Sequence, residues 1–256
     1  TATRAVLETV ETVIRPRLAA SGPNELKALL DGLDGRFVAP GPSGAPSRGR
    51  LDVLPTGRNF YSVDNRAVPT PTAWELGRRS ADNLLERHFQ EHGIPLRSLA
   101  LSVWGTANMR TGGDDIAQAL AFIGVRPQWD PSSLRVSGYE IVPLAKLGRP
   151  RVDVTLRISG FFRDAFPAQI ALFDRAIRAV GALDEPEDQN PIASRMRTDA
   201  LGLMRDGTDD EEAALRAGHR VFGSKPGAYG AGLQGLMDSG SLQTKADLAE
   251  AFLNWG

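Results

Sequence analysis

Two stretches of the chain share one pattern: an apolar run short enough for a strand, a polar glycine-containing turn, and a helical periodicity directly after it. In the first, SLALSVW (98–104) leads through GTANMRTGGDD into DDIAQALAFIG (114–124). In the second, RVDVTLRISG (151–160) places Val152, Val154, Leu156 and Ile158 on one face, and FFRDAFPAQIALFDRAIRAVGAL reads as one long helix with Pro167 near its start. Parallel strands need a crossover between them, usually a helix, so strand–turn–helix units in succession predict a parallel sheet. The expected fold class is α/β, a parallel-type open sheet with flanking helices and a mainly helical C-terminal part. Ligands of such sheets commonly meet the loops beyond the strand carboxyl ends, so the two polar turns should share an edge.

The remaining segments divide into three expected parts. Residues 1–50 read as a helical segment plus a linker. Val6, Val10, Val13, Ile14 and Leu18 fall at helical spacing over residues 2–20, and Ser21-Gly22-Pro23 reads as the breaker. Asn24 can cap a second short helix, and FVAPGPSGAPSRGR, rich in Gly, Pro and Ser, reads as extended coil. Residues 51–184 hold the α/β core. There DVLPTGRNFYSVD suggests a strand end feeding a loop that displays Arg58, Asn59 and Tyr61, and Thr70 as N-cap with Pro71 at the first helical position starts a helix running to Gly93. Residues 185–256 form a helical, Gly-rich region with a last helix from about Thr244. That helix is still building at Leu248, Phe252 and Trp255 where the sequence stops, and no initiator Met is present, so the chain is expected to be a piece of a larger one.

Composition removes whole classes of chemistry. With no cysteine among 256 residues, thiolate metal sites and Cys nucleophiles are excluded, and a reducing, cytoplasmic home is expected. Thirty basic residues against thirty-one acidic ones give no global field for nucleic acid. No stretch approaches the roughly 18 apolar residues of a membrane span.

The polar turns supply the candidate site. GTANMRTGGDD sets Asn108, Arg110, Thr111 and Asp114 between a strand end and a helix start, where unsatisfied amide N–H groups and a cation could hold an anion. The plainer alternative is a capped turn with Asp114 as N-cap or first-turn acid. It is neither a Walker loop, lacking Gly-Lys-Ser/Thr, nor a G-x-G-x-x-G fingerprint. RISGFFRDAFP repeats the arrangement with Ser159 and Arg163. An arginine in the first turn of a helix opposes the helix dipole and needs a partner, either an acid such as Asp164 or a ligand carboxylate. FGSKPGAYGAGL offers Ser224, Lys225 and Tyr229 among glycines, either a ligand loop or a mobile surface loop. His88 and His92 stand one helical turn apart and could clamp a metal. They lack the Glu of the zincin pattern and a third ligand, so a solvated helix end is the better reading. His219 is isolated, and DGTDDEE reads as a solvated helix start. No Ser-His-Asp arrangement is present.

Four stretches together resemble a known family. DVLPTGRNFYSVDNRAVPTPTAWELG, LSVWGTANMRTGGDDIAQALAFIGVRPQWD, LGRPRVDVTLRISGFFRDAFPAQIALFDRAI and RVFGSKPGAYGAGLQ resemble, in order and spacing, the large subunit of ATP-dependent cobaltochelatase, over most of residues 33–256. The related large subunit of magnesium chelatase tends to carry an acid where Ala107 stands and diverges in GRNFY and SKPGAYG. The resemblance implies insertion of Co(II), as substrate metal, into hydrogenobyrinic acid a,c-diamide in cobalamin biosynthesis. ATP and Mg(II) would be used by AAA+ ATPase partner subunits, in line with the missing Walker motif. The family's HxGTHG…E segment is absent here, so the chelation centre is expected to be incomplete and the piece inactive alone. On this reading Arg58, Arg110, Arg163 and Lys225 could pair with corrinoid carboxylates, and Asn59, Asn108 and Ser159 could orient its amides. Tyr61, Trp104 and Tyr229 could line an apolar face. Asp114 becomes the candidate general base for the departing pyrrole protons, with no metal ligands assigned. Two alternatives remain: the magnesium branch acting on protoporphyrin IX, and a scaffold that docks the AAA+ motor subunits.

Overall fold

The computed structural model describes residues 2–48, 50–61 and 63–255. The chain divides into two bodies, Thr1–Asp64 with Met109–Gly112, and Asn65–Asn108 with Gly113–Gly256.

The first body begins with α1 (Ala2–Thr9), a π turn at Val10–Ile14 and α2 (Arg15–Leu33). The expected break at Ser21-Gly22-Pro23 does not occur, and one helix continues through Pro23. A mid-helix Pro costs one hydrogen bond and the Gly costs backbone entropy. The distant segment around Thr56 outweighs that local cost. Ser21 Oγ donates to Arg17 O at 3.0 Å and accepts from Thr56 N at 3.1 Å, so tertiary contact fixes the helical turn that sequence alone would end. The stretch expected as extended coil carries β1 (Pro40–Pro42), which pairs in parallel with β2 (Asn59–Tyr61), Gly41 opposite Phe60. Arg58 donates to the carbonyls of Pro55 and Leu54 at 3.1 and 3.2 Å, which holds the turn before β2.

The second body starts with α3 (Pro71–His92). As expected, Thr70 caps it, its hydroxyl accepting from Ala73 N at 3.1 Å, and Gly93 closes it in the left-handed region. β3 (Ser98–Val103) is followed by α4 (Gly105–Thr111), α5 (Asp114–Ile123) and the antiparallel pair β4 (Val125–Trp129) and β5 (Val136–Ile141). A single turn, α6 (Leu144–Leu147), leads to β6 (Asp153–Ile158), α7 (Gly160–Ala165) and α8 (Pro167–Gly181). The chain then runs through α9 (Pro191–Arg205), α10 (Asp210–Ala217), β7 (Val221–Gly223), α11 (Leu233–Asp238) and α12 (Lys245–Trp255).

β3, β6 and β7 form an open, wholly parallel sheet in that order, with β6 in the middle. The four alternating residues of the second unit, Val152, Val154, Leu156 and Ile158, are all buried. The apolar run of β3 predicts burial as well, but only Val103 is buried; Leu99 and Leu101 on its face are half-covered, and Ser98, Ala100 and Ser102 lie on the opposite, exposed face. α5 and α8 contribute Ile116, Leu120, Phe122 and Ile123, and Phe173 and Ile177, to the same core. The long helix expected after β6 is two helices. Pro167 has no N–H to donate and pushes Phe166 out of the helical region (φ −127°, ψ 45°), so α8 starts afresh at Pro167. The fold is α/β with an open parallel sheet, flanking helices and a mainly helical C-terminal part.

Candidate functional site at the carboxyl edge of the parallel sheet

The three strands end side by side at Val103, Ile158 and Gly223, and the polar segments after them lie together. Ser159 ties the first two. Its N–H donates to Val103 O at 2.9 Å, and its hydroxyl accepts from Gly105 N at 3.2 Å and from Phe162 N at 3.1 Å, capping α7. Glycine is required at two of these strand ends by close approach. A Cβ on Gly105 would collide with the Phe161 ring and sit 2.9 Å from Phe162 N, and one on Gly160 would sit 2.7 Å from Ala228 O and from the Tyr229 ring.

Arg163 fastens the third segment. Its Nε and Nη2 face Asp164 Oδ1 and Oδ2 at 2.7 and 3.0 Å, and Nη1 donates to the carbonyls of Ser224 and Lys225, both at 2.7 Å, and of Ala228 at 3.2 Å. The partner that an arginine at this place needs is thus supplied by the protein: one carboxylate and the Gly-rich loop. Tyr229 completes the latch. Its hydroxyl donates to Asp164 Oδ2 at 2.7 Å, and the guanidinium lies 5.5 Å from its ring centroid. Ser224, buried, donates from its hydroxyl to Ala228 O at 2.8 Å and so closes the loop on itself. The Arg163 guanidinium, and after it the Tyr229 hydroxyl, hold the Asp164 carboxyl below the usual carboxylate range; the same hydrogen bond raises Tyr229.

A depressed folded-state pKa favours the closed latch above the unfolded value, near 4, and that preference is lost as pH falls through the folded value. An NMR titration of the Tyr229 ring should therefore be flat from pH 7 to about 4 and move below it. Movement centred at or above pH 5 would contradict the latch.

The remaining candidates are distributed as follows. Trp104 (56% exposed), Lys225 and Tyr229 (60%) present open surface at this edge. GTANMRT, expected as a turn, is the helix α4, and Gly112 and Gly113 at φ +77° and +95° separate it from α5. That change of structure buries Asn108 completely. Its Nδ2 donates to Trp104 O at 2.9 Å and Asp115 Oδ2 at 3.2 Å, while its Oδ1 has no hydrogen-bond partner among the described residues. Asp114 is the first residue of α5, with Gly113 as N-cap. Arg58, Asn59, Tyr61 and Arg110 belong to the first body; Asn59 and Tyr61 are exposed on β2, and Arg110 O accepts from Ala45 N at 3.1 Å. His88 and His92 stack at 4.3 Å at the exposed end of α3, with His92 Nδ1 3.1 Å from His88 O. Among the described residues, no group of three or more His, Cys, Asp or Glu is placed to hold a metal. No helix among them is long and apolar enough to cross a membrane. From the sequence, Asp164 is a candidate acid partner of Arg163 and Ser224 part of a candidate ligand loop, whereas the Ala228 carbonyl is not foreseen.

The fold is that of an α/β protein with an open parallel sheet, a class in which ligands commonly meet the loops beyond the strand carboxyl ends. The chain belongs to the CobN/Magnesium Chelatase family, which matches it over residues 1–256. It is 66% identical over 254 residues to the aerobic cobaltochelatase subunit CobN of a Sinorhizobium species, covering 99% of this chain and 20% of that protein. The chloroplastic magnesium-chelatase subunit ChlH of Oryza sativa subsp. japonica is 39% identical over 232 residues, 90% of this chain and 16% of that one. Among solved structures, the catalytic subunit of cobaltochelatase from Mycobacterium tuberculosis superposes with a TM-score of 0.83 at 52% identity, over 98% of this chain and 21% of that one. The chain spans about a fifth of the length of the two cobaltochelatase subunits.

Proposed function

We propose that the chain is part of the tetrapyrrole-binding subunit of an ATP-dependent cobaltochelatase, which inserts Co(II) into hydrogenobyrinic acid a,c-diamide. The observation that carries the cobalt reading is the 66% identity to a cobaltochelatase subunit against 39% to a magnesium-chelatase subunit. ATP and Mg(II) are assigned to AAA+ partner subunits, and the corrinoid precursor is the ligand of this chain.

The carboxyl edge of the sheet has the chemistry for such a ligand. Lys225 offers a mobile cation to a corrinoid carboxylate, and Trp104 and Tyr229 offer apolar faces with a polar tip. Arg163, whose guanidinium is taken up by Asp164 and the loop carbonyls, serves as a positioning residue that sets where Lys225 and Tyr229 stand. Asp114, at the start of α5, is kept as the candidate proton acceptor.

The test is a titration of tryptophan fluorescence with hydrogenobyrinic acid a,c-diamide. Arg163→Ala should weaken binding on the order of tenfold, the loss of one or two charge-assisted hydrogen bonds' worth of loop order. Protoporphyrin IX should bind at least about tenfold more weakly than the corrinoid. Equal affinity for the two would favour the magnesium branch. An unchanged affinity in the Arg163 variant would remove this edge from the site.

A scaffold role has one observation in its favour. Leu26, Leu29, Leu30, Leu33 and Phe37 of the first body are 61–83% exposed, more apolar surface than a stable face in water usually shows. Capture of the AAA+ subunits that is lost on Leu29→Ser/Leu33→Ser would support it.

A further inference from the structure

A second cleft in the body holding the sheet is not used by the reading above. It encloses about 540 Å³ between the first half of α3, the C-terminal end of α5, the β4–β5 pair and α6, within the range of small-molecule sites. Trp74 and Trp129 stand in its wall with Val125, Val142 and Leu147. Trp129 is fixed, its Nε1 donating to Pro69 O at 2.8 Å.

The charges in the cleft do not cancel. Arg78 is consumed by Glu75 at 3.1 Å and Asp82 at 2.7 Å, all three on α3. That leaves Arg126, Lys146 and Arg149 facing a single further acid, Glu140, and none of the three cations has a carboxylate within ion-pair distance among the described residues. Arg149 is the informative one. It is half-buried, and Nη1 donates to Phe122 O at 3.2 Å and Pro150 O at 3.0 Å, Nη2 to Ala121 O at 2.6 Å. The Ala121 and Phe122 carbonyls, at the end of α5, offset part of the cost of burying the cation. Its neighbour Arg151 donates to the carbonyls at the same helix end and also pairs with Glu185, whereas Arg149 has no ion pair and its Nε–H no acceptor among the described residues, Asp82 acting on it only from farther off. Burial first, and the like charge of Arg151 after it, push the Arg149 guanidinium down, a shift that Asp82, beyond ion-pair distance, offsets only in part.

We propose that this cleft is a second ligand site for a small aromatic anion, a one- or two-ring molecule seated against Trp74 and Trp129 with its phosphate or carboxylate on Arg149, flanked by Arg126 and Lys146. The ring supplies stacking area and the anion supplies the missing counter-charge, so neither half alone should bind well.

The test follows tryptophan fluorescence in the 256-residue chain carrying Trp104→Phe and Trp255→Phe, which leaves the two cleft indoles as the reporters among these residues. Adenosine 5′-monophosphate and 1-naphthoate are the probes, with adenosine and inorganic phosphate as half-ligands. Saturable quenching by at least one aromatic anion, at least tenfold tighter than either half-ligand, is expected; which probe wins distinguishes a phosphate from a carboxylate ligand. Arg149→Met should weaken it tenfold or more. Should that variant misfold, the exposed pair Arg126→Ser/Lys146→Ser should weaken it about threefold with an unchanged circular dichroism spectrum. Absence of saturable quenching by both probes, equal quenching by adenosine, or full affinity in the Arg126/Lys146 variant would each overturn the proposal.

Discussion

Replacing Arg151 with methionine is expected to destabilise the chain by about 3–5 kcal/mol, the range for breaking a buried ion pair from one side. The side chain is fully buried at the junction of α5, β5 and the segment before α9. It donates to Ile123 O and Val142 O at 3.0 Å, to Gly124 O at 3.3 Å, and in bidentate fashion to Glu185 at 2.7 and 2.8 Å. Methionine fills much of the volume and supplies none of these donors. Glu185 would keep only Asn190 Nδ2 at 2.9 Å. In a chain of this size such a loss lowers the melting temperature on the order of 10 °C. Arg151 first, and Asn190 with it, hold the Glu185 carboxyl below the usual range. The pair therefore contributes above the unfolded glutamate value, near 4.3, and its contribution fades as pH falls through the folded one. Urea denaturation at pH 7 and pH 3 should thus show a larger gap between wild type and variant at pH 7. A cost below about 1 kcal/mol at pH 7 would mean that the orphaned carbonyls find water.

Phe162→Ala should cost a similar amount, about 3–5 kcal/mol, as for other fully buried aromatic residues. The Phe162 ring is completely enclosed and stacks on Phe166 at a centroid distance of 5.0 Å. Phe162 lies between Ser159, which accepts from its N–H, and Arg163. The cavity would open directly beneath α7. Ligand affinity at the sheet edge should therefore fall together with stability, whereas Phe162→Leu should cost about 1 kcal/mol and leave binding close to wild type. Loss of stability with intact binding would separate α7 from the site.

What the sequence made legible, and what it did not, divides along the range of the interactions. The burial of β6 and the limits of α3 rest on alternation and on Thr70, Pro71 and Gly93, all local signals. The continuous helix through Pro23 depends on Thr56, thirty-odd residues away, and no window centred on Pro23 contains it. α4 was hidden by its Gly and Thr residues, which favour turns unless the ends are held, as Ser159 holds Gly105. β7 is only three residues long and pairs with β6 in parallel, so its own sequence carries almost no pattern. At the site, sequence led to the expectation of a partner for Arg163 from a first-turn position; in the short α7 it lies in the last turn, which suits a cation, and the partner is there nonetheless. Sequence could not show that much of that partner is main chain beyond β7, because carbonyl groups carry no residue signature.

The parallel sheet has a consequence for the order in which the chain becomes competent. β3 pairs Ser98 with Asp153, and β6 pairs Leu156 with Val221, so each strand must wait for a complete helical crossover before it meets its neighbour. Contacts this distant along the chain are slow to close. The edge that carries Lys225 and Tyr229 is built from the ends of all three strands, so it cannot exist before β7 has been synthesised. A nascent chain that has not yet released β7 from the ribosome already contains the residues of α3 and of the β4–β5 pair, but lacks the third strand that completes this edge.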